Sequence, residues 1–253
     1  MLLQQIDAAA ARLRDFRGSA SIETSFEGRR GRASLRIRYL SPARFRIDVH
    51  GTLFQVLAVL LIHDRRVRLY LPRENTVFEG DLETRDTPIP GLDLTLEDIR
   101  AAVTGAIEPG RYTGMQIVEY RHDGGTATVT LQEGGVSRSL WIDTERATIT
   151  REAWESSASG DSVVRTFGRF QKRNGIWRPG SVRMTRSGGM PGAMELTYRT
   201  QSVNRGLRPA DIDVRLPATV IRRPLEEAAP VLETMDEASF PGARRARFSL
   251  NGK

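Results

Sequence analysis

The sequence predicts a mainly β protein: an open, incomplete antiparallel β-barrel of about 11–12 strands, with an N-terminal helix and a mid-chain helix as lid. Three observations predict it. Apolar and polar residues alternate with a period of two along several segments, and an antiparallel sheet with one dry and one wet face requires that pattern. One long apolar run, Leu53 to Ile62, interrupts the alternation. Strands and helices do not alternate as βαβ units, so a parallel sheet is not expected.

The elements follow in order. Leu2, Ile6, Ala9, Leu13 and Phe16 recur at helical spacing and predict an amphipathic helix closed by Gly18. Strands are expected at 19–28, 31–40, 43–50, 53–63, 65–71 and 76–80, with turns at 28–31, 41–42, 51 and 64–65. In the second of these, Ala33, Leu35, Ile37 and Tyr39 interleave with Arg32, Ser34, Arg36 and Arg38. In the third, Phe45, Ile47 and Val49 interleave with Arg44, Arg46 and Asp48, and downstream Val67, Leu69 and Leu71 interleave with Arg66 and Arg68. A Pro/Gly-rich loop, 86–93, then precedes a helix at 95–107. Thr95 and Asp98 have capping-box spacing there, while Leu96, Ile99, Val103 and Ile107 share one face. A second block of strands is expected at 113–121, 125–132, 136–142, 146–154, 161–170, 181–187 and 193–201, and a short one at 211–217. The domain is expected to span 1–217, with 218–253 a C-terminal extension that is partly helical or disordered.

Composition narrows the function classes. The chain has 253 residues, a formal net charge of +7 and no cysteine. Disulfides, thiolate metal sites and cysteine nucleophiles are therefore excluded. His50, His63 and His122 have no metal-ligand spacing, so neither a metal nor a cofactor is expected. The positive charge comes almost wholly from arginine, spread along strand faces. That arrangement is a solvated face or a surface for anionic lipid. It does not suit nucleic acid, because Tyr39, Phe45 and Tyr70 fall on the face opposite the arginines. No apolar run reaches membrane-spanning length, and Met1-Leu-Leu-Gln-Gln lacks the charged and apolar regions of a signal peptide. Nucleophile-elbow, zinc-protease, P-loop and dinucleotide motifs are absent, and acidic residues show no paired spacing for acid/base work. The reading is of a non-enzyme.

Three features carry the functional question. Gly51-Thr52-Leu53-Phe54 presents two large apolar residues at the head of the apolar strand. They are either its buried start or a protrusion that touches lipid. The strand itself is apolar at nearly every position, so both its faces are dry. Its outer face must then be covered, or lie against the first helix, and its inner face lines either a core or a cavity. Loop 86–93 with helix 95–107, carrying Ile89, Leu92, Leu96, Ile99 and Val103, is either a lid over the concave face or a plug in an ordinary core. An acyl-chain site would need roughly 300 Å³ or more of connected apolar space.

Five segments resemble the LolA/LolB superfamily of bacterial lipoprotein carriers, LolB more than LolA. They are Phe16 to Ala20, Arg46 to Phe54, Asp86 to Pro90 with helix 95–107, Met190 to Thr197, and Asp211 to Pro217. The resemblance spans about 16–217. It implies a hydrophobic concavity that takes acyl chains, lined by Leu35, Ile37, Phe45, Ile47, Val49, Val67 and Leu69 beneath the lid residues. It also implies delivery of lipid or lipoprotein to the inner leaflet of the outer membrane, with a LolA-type periplasmic carrier as partner. The family's protruding leucine maps to Leu53, but the glycine expected after it is Phe54 here. The implied location is the periplasm, where members of the family are often anchored to the outer membrane by a lipidated N-terminal cysteine; this chain carries no such cysteine, leader or lipobox. The alternative is an envelope interaction or sensor module that uses the same fold with a filled core.

Overall fold

The computed structural model describes residues 2–26, 29–51, 55–84, 87, 89, 94–105, 111–112, 114–157, 160–188 and 191–231. Helix α1 (Leu2–Ala11) leads into β1 (Asp15–Phe26), β2 (Arg29–Leu40), β3 (Arg44–His50), β4 (Val56–His63), β5 (Arg66–Leu71) and β6 (Thr76–Asp81). Helix α2 (Leu96–Thr104) follows, then β7 (Gln116–Asp123), β8 (Thr126–Glu133), β9 (Val136–Asp143), β10 (Thr148–Ser156) and β11 (Ser162–Gly168). The hairpin of β12 (Gln171–Arg173) and β13 (Ile176–Arg178) precedes β14 (Ser181–Ser187) and β15 (Gly192–Val203), and β16 (Ile221–Pro224) ends the described strands.

Fourteen of these strands form one sheet, in the order β16-β6-β5-β4-β3-β2-β1-β15-β14-β11-β10-β9-β8-β7, and among the described residues β12 pairs only with β13. β16 runs parallel to β6, while β1 pairs antiparallel with both β2 and β15. The edges β16 and β7 do not meet, so among the described residues the sheet is a curl that does not close. The chain therefore builds one half outward from β1 to β6. It then crosses to the far edge at β7 and returns to the other side of β1. Helix α2 lies in that crossing, which places it over the concave face.

Strand alternation holds where the sequence predicts it. Leu35, Ile37, Tyr39, Phe45, Ile47, Ala58, Leu60, Ile62, Val67 and Leu69 are buried together in one core. Each large apolar side chain removed from water on this face contributes roughly 1.5–3 kcal/mol. The arginines occupy the opposite face. There Arg38 and Arg46 donate to the buried Asp48 at 2.9 and 2.8 Å, and Arg68 and Arg222 donate to Glu79 at 3.1 and 2.7 Å.

The dryness of β4 on both sides has a local cause. Val59, with Tyr70 and Val77 beside it, is buried on the convex face under Val214, Leu216 and Val220. Tyr70 thus shares the face of Arg66 and Arg68, contrary to expectation, while Tyr39 and Phe45 lie in the opposite core. The cover is thus a C-terminal strap and not α1. Arg46 Nη1 donates to Asp213 O at 3.0 Å and Arg17 to Asp211 at 3.2 Å, so the convex arginines hold the strap down.

Three departures from the expected elements have a local cause or bear on the core. The first helix ends at Ala11, and Phe16 and Gly18 belong to β1. Phe16 is fully buried edge-on to Tyr198, and a Cβ on Gly18 would lie 2.5 Å from Phe16 Cζ, so that glycine makes room for a ring and does not stop a helix. Residues 211–217 form no ladder: a 3-10 turn, Pro209–Asp211, leads into the extended strap. Beyond 217, β16 joins the sheet, and Leu225 and Ala228 are buried in the main core.

Candidate functional site

The concave face and α2 form the site. Thr95 caps the helix as its spacing predicts: Thr95 Oγ1 accepts from Asp98 N at 3.0 Å, and Asp98 Oδ2 accepts from Thr95 N at 2.8 Å. Gly105 closes the other end at φ 62°, a conformation that suits glycine, and a Cβ there would strike the Pro179 ring. Between the caps, Leu96, Ile99 and Val103 pack into the core of the first half-sheet. Ala101 and Ala102 pack into the core of the second half-sheet, around Val129, Leu140 and Ile142. The helix is buried along nearly its whole length.

The described residues expected to line the cavity and those expected in the lid belong to one packed cluster. Leu35, Ile37, Phe45, Ile47, Val67 and Leu69 are buried in the same cluster as Ile89, Leu96, Ile99 and Val103, and Val49 packs against it partly buried. Leu53, Phe54 and Leu92 lie outside the described residues.

Polar anchors hold α2 at both ends. At its start, Asp98 accepts from Arg165 on β11 and from Arg186 on β14, the latter at 3.0 Å. Arg165 also donates to Glu152 on β10 at 2.6 Å, and Glu152 accepts from Arg138 on β9. All of Asp98, Arg138, Glu152 and Arg165 are buried. Burial opposes the charge on Asp98, but the Arg165 guanidinium and the capping bonds outweigh it and hold its carboxyl below the usual range. Glu97 next to it is 2% exposed, and neither of its carboxylate oxygens has a hydrogen-bond partner. Burial raises its pKa, against the pull of Arg165. Burial likewise raises the Tyr112 hydroxyl, which is also unpartnered.

At the end of α2, Arg178 Nη2 donates to Val103 O at 2.5 Å and Tyr198 Oη to Ala102 O at 2.6 Å. The Arg178 guanidinium sits 4.6 Å from the centre of the Phe16 ring. Beside it, α1, the end of α2, the 146–149 turn and β13 enclose a pocket of about 70 Å³. That is well below the ~300 Å³ of an ordinary ligand pocket. The apolar sheet surface beneath α2 is covered by α2 itself.

Sequence reasoning missed these anchors, although a signal exists. Arg138 keeps step with Leu140 and Ile142, Arg165 with Val163 and Phe167, and Arg178 with Ile176. Arginines in phase with the apolar set point inward. Glu152 is harder to find, because a bulge after Ile149 shifts the alternation of β10 by one residue.

Comparison with known proteins agrees with this architecture. The chain matches no family model and no curated protein sequence. Its fold is shared with a DUF1329 family protein from Desulfovibrio piger (TM-score 0.63, 15% identity, covering 83% of this chain and 94% of that one). It is also shared with a domain described as an outer-membrane lipoprotein-sorting protein from Vibrio parahaemolyticus (TM-score 0.61, 16% identity, 83% and 95%). A LolA superfamily protein from Nitrosomonas europaea matches with TM-score 0.57 and 14% identity, over 84% of this chain and 96% of that one. The open β-barrel with helical cover is thus the fold of LolA-like proteins.

Proposed function

We propose that the protein is a non-enzymatic carrier that shelters acyl chains of lipids or lipoproteins on the concave apolar face now covered by α2. One observation carries this reading. The residues that line the face and the residues that cover it form one packed cluster, while the sheet itself is held by its own ladders. Displacing α2 would therefore uncover a continuous apolar surface without breaking a strand. Leu96, Ile99 and Val103 together contribute roughly 5–9 kcal/mol of apolar burial, which about 6–11 acyl methylenes would offset at ~0.8 kcal/mol each. An acyl chain of ordinary length suffices, provided the ionic anchors of α2 also yield.

In this reading the chain works in the periplasm, receives cargo from a LolA-type carrier, and delivers it at the inner leaflet of the outer membrane, as LolB does. Leu53 and Phe54, which precede β4 in the sequence, would meet that membrane. Transfer needs no cofactor or energy source, because cargo moves toward whichever site binds it more tightly. The shared fold with a lipoprotein-sorting domain and a LolA superfamily protein supports the reading.

The second reading is an envelope interaction module with a filled core. It is favoured by the near-complete burial of α2 and by its buried anchors at both ends. Native mass spectrometry of the purified protein, with titration of a fluorescent long-chain fatty acid, separates the two. Co-purified lipid and saturable uptake of the probe are expected. A lipid-free mass with no probe uptake would leave the module reading.

A further inference from the structure

Three arginines are buried among the described residues: Arg138, Arg165 and Arg178. Two of them have carboxylate partners, since Arg138 and Arg165 share Glu152 and Arg165 reaches Asp98. Arg178 has none. It is 1% exposed, and every group that it touches is neutral: the Val103 carbonyl, the Gln201 amide oxygen at 3.3 Å, the Tyr198 hydroxyl and the Phe16 ring. Tyr198 cannot serve as a counter-ion, because burial raises its pKa even though Arg178 pulls it down. The carbonyl end of α2 supplies partial negative charge, but only about half an elementary charge. A buried guanidinium left in this state is a costly arrangement unless an anion completes it.

The guanidinium also has a donor to spare. Among the described residues Nη1, itself shielded from solvent, has no hydrogen-bond partner, and it lies beside Gly105. Arg178 and Gly105 both line the 70 Å³ pocket, whose apolar walls include Ile6, Ala9, Leu13, Ile149 and Ile176. At ~10–15 Å³ for each water-sized position, that space takes a small headgroup and the first few carbons of a chain.

We propose that this pocket binds the anionic head of a single-chain amphiphile, a carboxylate or a phosphate, with Arg178 Nη1 as donor and the apolar walls seating the first methylenes. The proposal rests on the carrier reading and deepens it by naming the headgroup class. Burial lowers the pKa of Arg178 to about 10, so the group is still a cation at neutral pH, ready to pair with an anion. A neutral chain of the same length satisfies the walls and leaves the guanidinium as it was.

The test is calorimetric titration of the full chain with octanoate, octyl phosphate and 1-octanol at pH 7. At least one anion is expected to bind ten-fold or more tightly than octanol, and the tighter of the two distinguishes a carboxylate source from a phosphate source. Arg178→Met should abolish that preference while retaining octanol binding. Ala9→Phe, which fills the pocket and leaves Arg178 in place, should weaken the anions at least ten-fold and guards against a failure of the arginine variant to fold. Equal affinity for anions and octanol, or an anion preference unchanged in both variants, overturns the site and leaves the carrier reading standing. No binding of any eight-carbon ligand overturns the site, and uptake of a long-chain probe then decides the carrier reading separately. Anion-selective binding without long-chain uptake keeps the site and removes the carrier.

Discussion

Arg165 on β11 and Asp98 on α2, 67 residues apart in sequence, form a buried ion pair that joins the crossing helix to the second half of the sheet. The pair is one link of a chain that runs from Arg138 through Glu152 and Arg165 to Asp98 and Arg186.

Arg165→Met removes the middle of that chain and leaves two buried carboxylates short of a partner. Loss of one member of a buried pair costs about 3–5 kcal/mol. The lower end is expected, since Arg138 and Arg186 remain. Denaturant unfolding would measure it, and a change under 1 kcal/mol would show that the network contributes nothing net.

Glu97 gives a pH prediction. Its folded pKa is raised, so the folded state holds the proton more tightly than the unfolded chain. Stability from this residue is complete below the unfolded value near 4.3 and declines as pH rises toward the folded value. Asp98 acts with the opposite sign: its lowered pKa adds stability above the unfolded value, and that is lost as pH falls through the folded one. Glu97→Gln should therefore raise Tm at pH 7 and change it little at pH 4, by roughly 2–4 °C for each kcal/mol recovered. Equal shifts at both pH values would contradict the assignment.

How much of this was legible in the sequence differs between the two faces of the sheet. Leu35, Ile37 and Tyr39 announce their face because every second residue is apolar and the rest are polar. Thr95 and Asp98 announce the start of α2 because capping is local chemistry. Phe16 misled because steps of three and four continue the α1 pattern, while its partner Tyr198 lies far away in sequence. Residues 211–217 alternate like a strand, but they serve as a cover whose outer side meets water. Arg165 and Arg178 share the residue type of the wet arginines, and their phase with apolar neighbours is what distinguishes them.

Leu225→Ala tests whether the chain beyond β16 belongs to the core. Leu225 is 1% exposed and packs against the main cluster, so truncation should cost about 2–5 kcal/mol by chemical denaturation. A loss near zero would mean that the segment is dispensable to the fold.

Gly18→Ala places a Cβ against the Phe16 ring. Overpacking of this kind costs about 1–3 kcal/mol, and the added Cβ must shift a ring that also meets Tyr198 and Arg178. A lowered Tm with unchanged far-ultraviolet circular dichroism is expected.

Leu53→Glu tests the proposed membrane contact. Transfer of a fluorescent fatty acid from the protein to anionic vesicles should fall at least ten-fold, while uptake of the probe is unchanged. Undiminished transfer would remove Leu53 from the handover.

The place of β1 bears on how the polypeptide reaches its native state. One neighbour, β2, follows at once, whereas the other, β15, is synthesised some 10–30 s later at about 5–20 residues per second. Until then β1 offers a naked flank to any passing strand. A nascent chain of this topology needs an escort along that flank, or must stay unfolded until β15 has emerged.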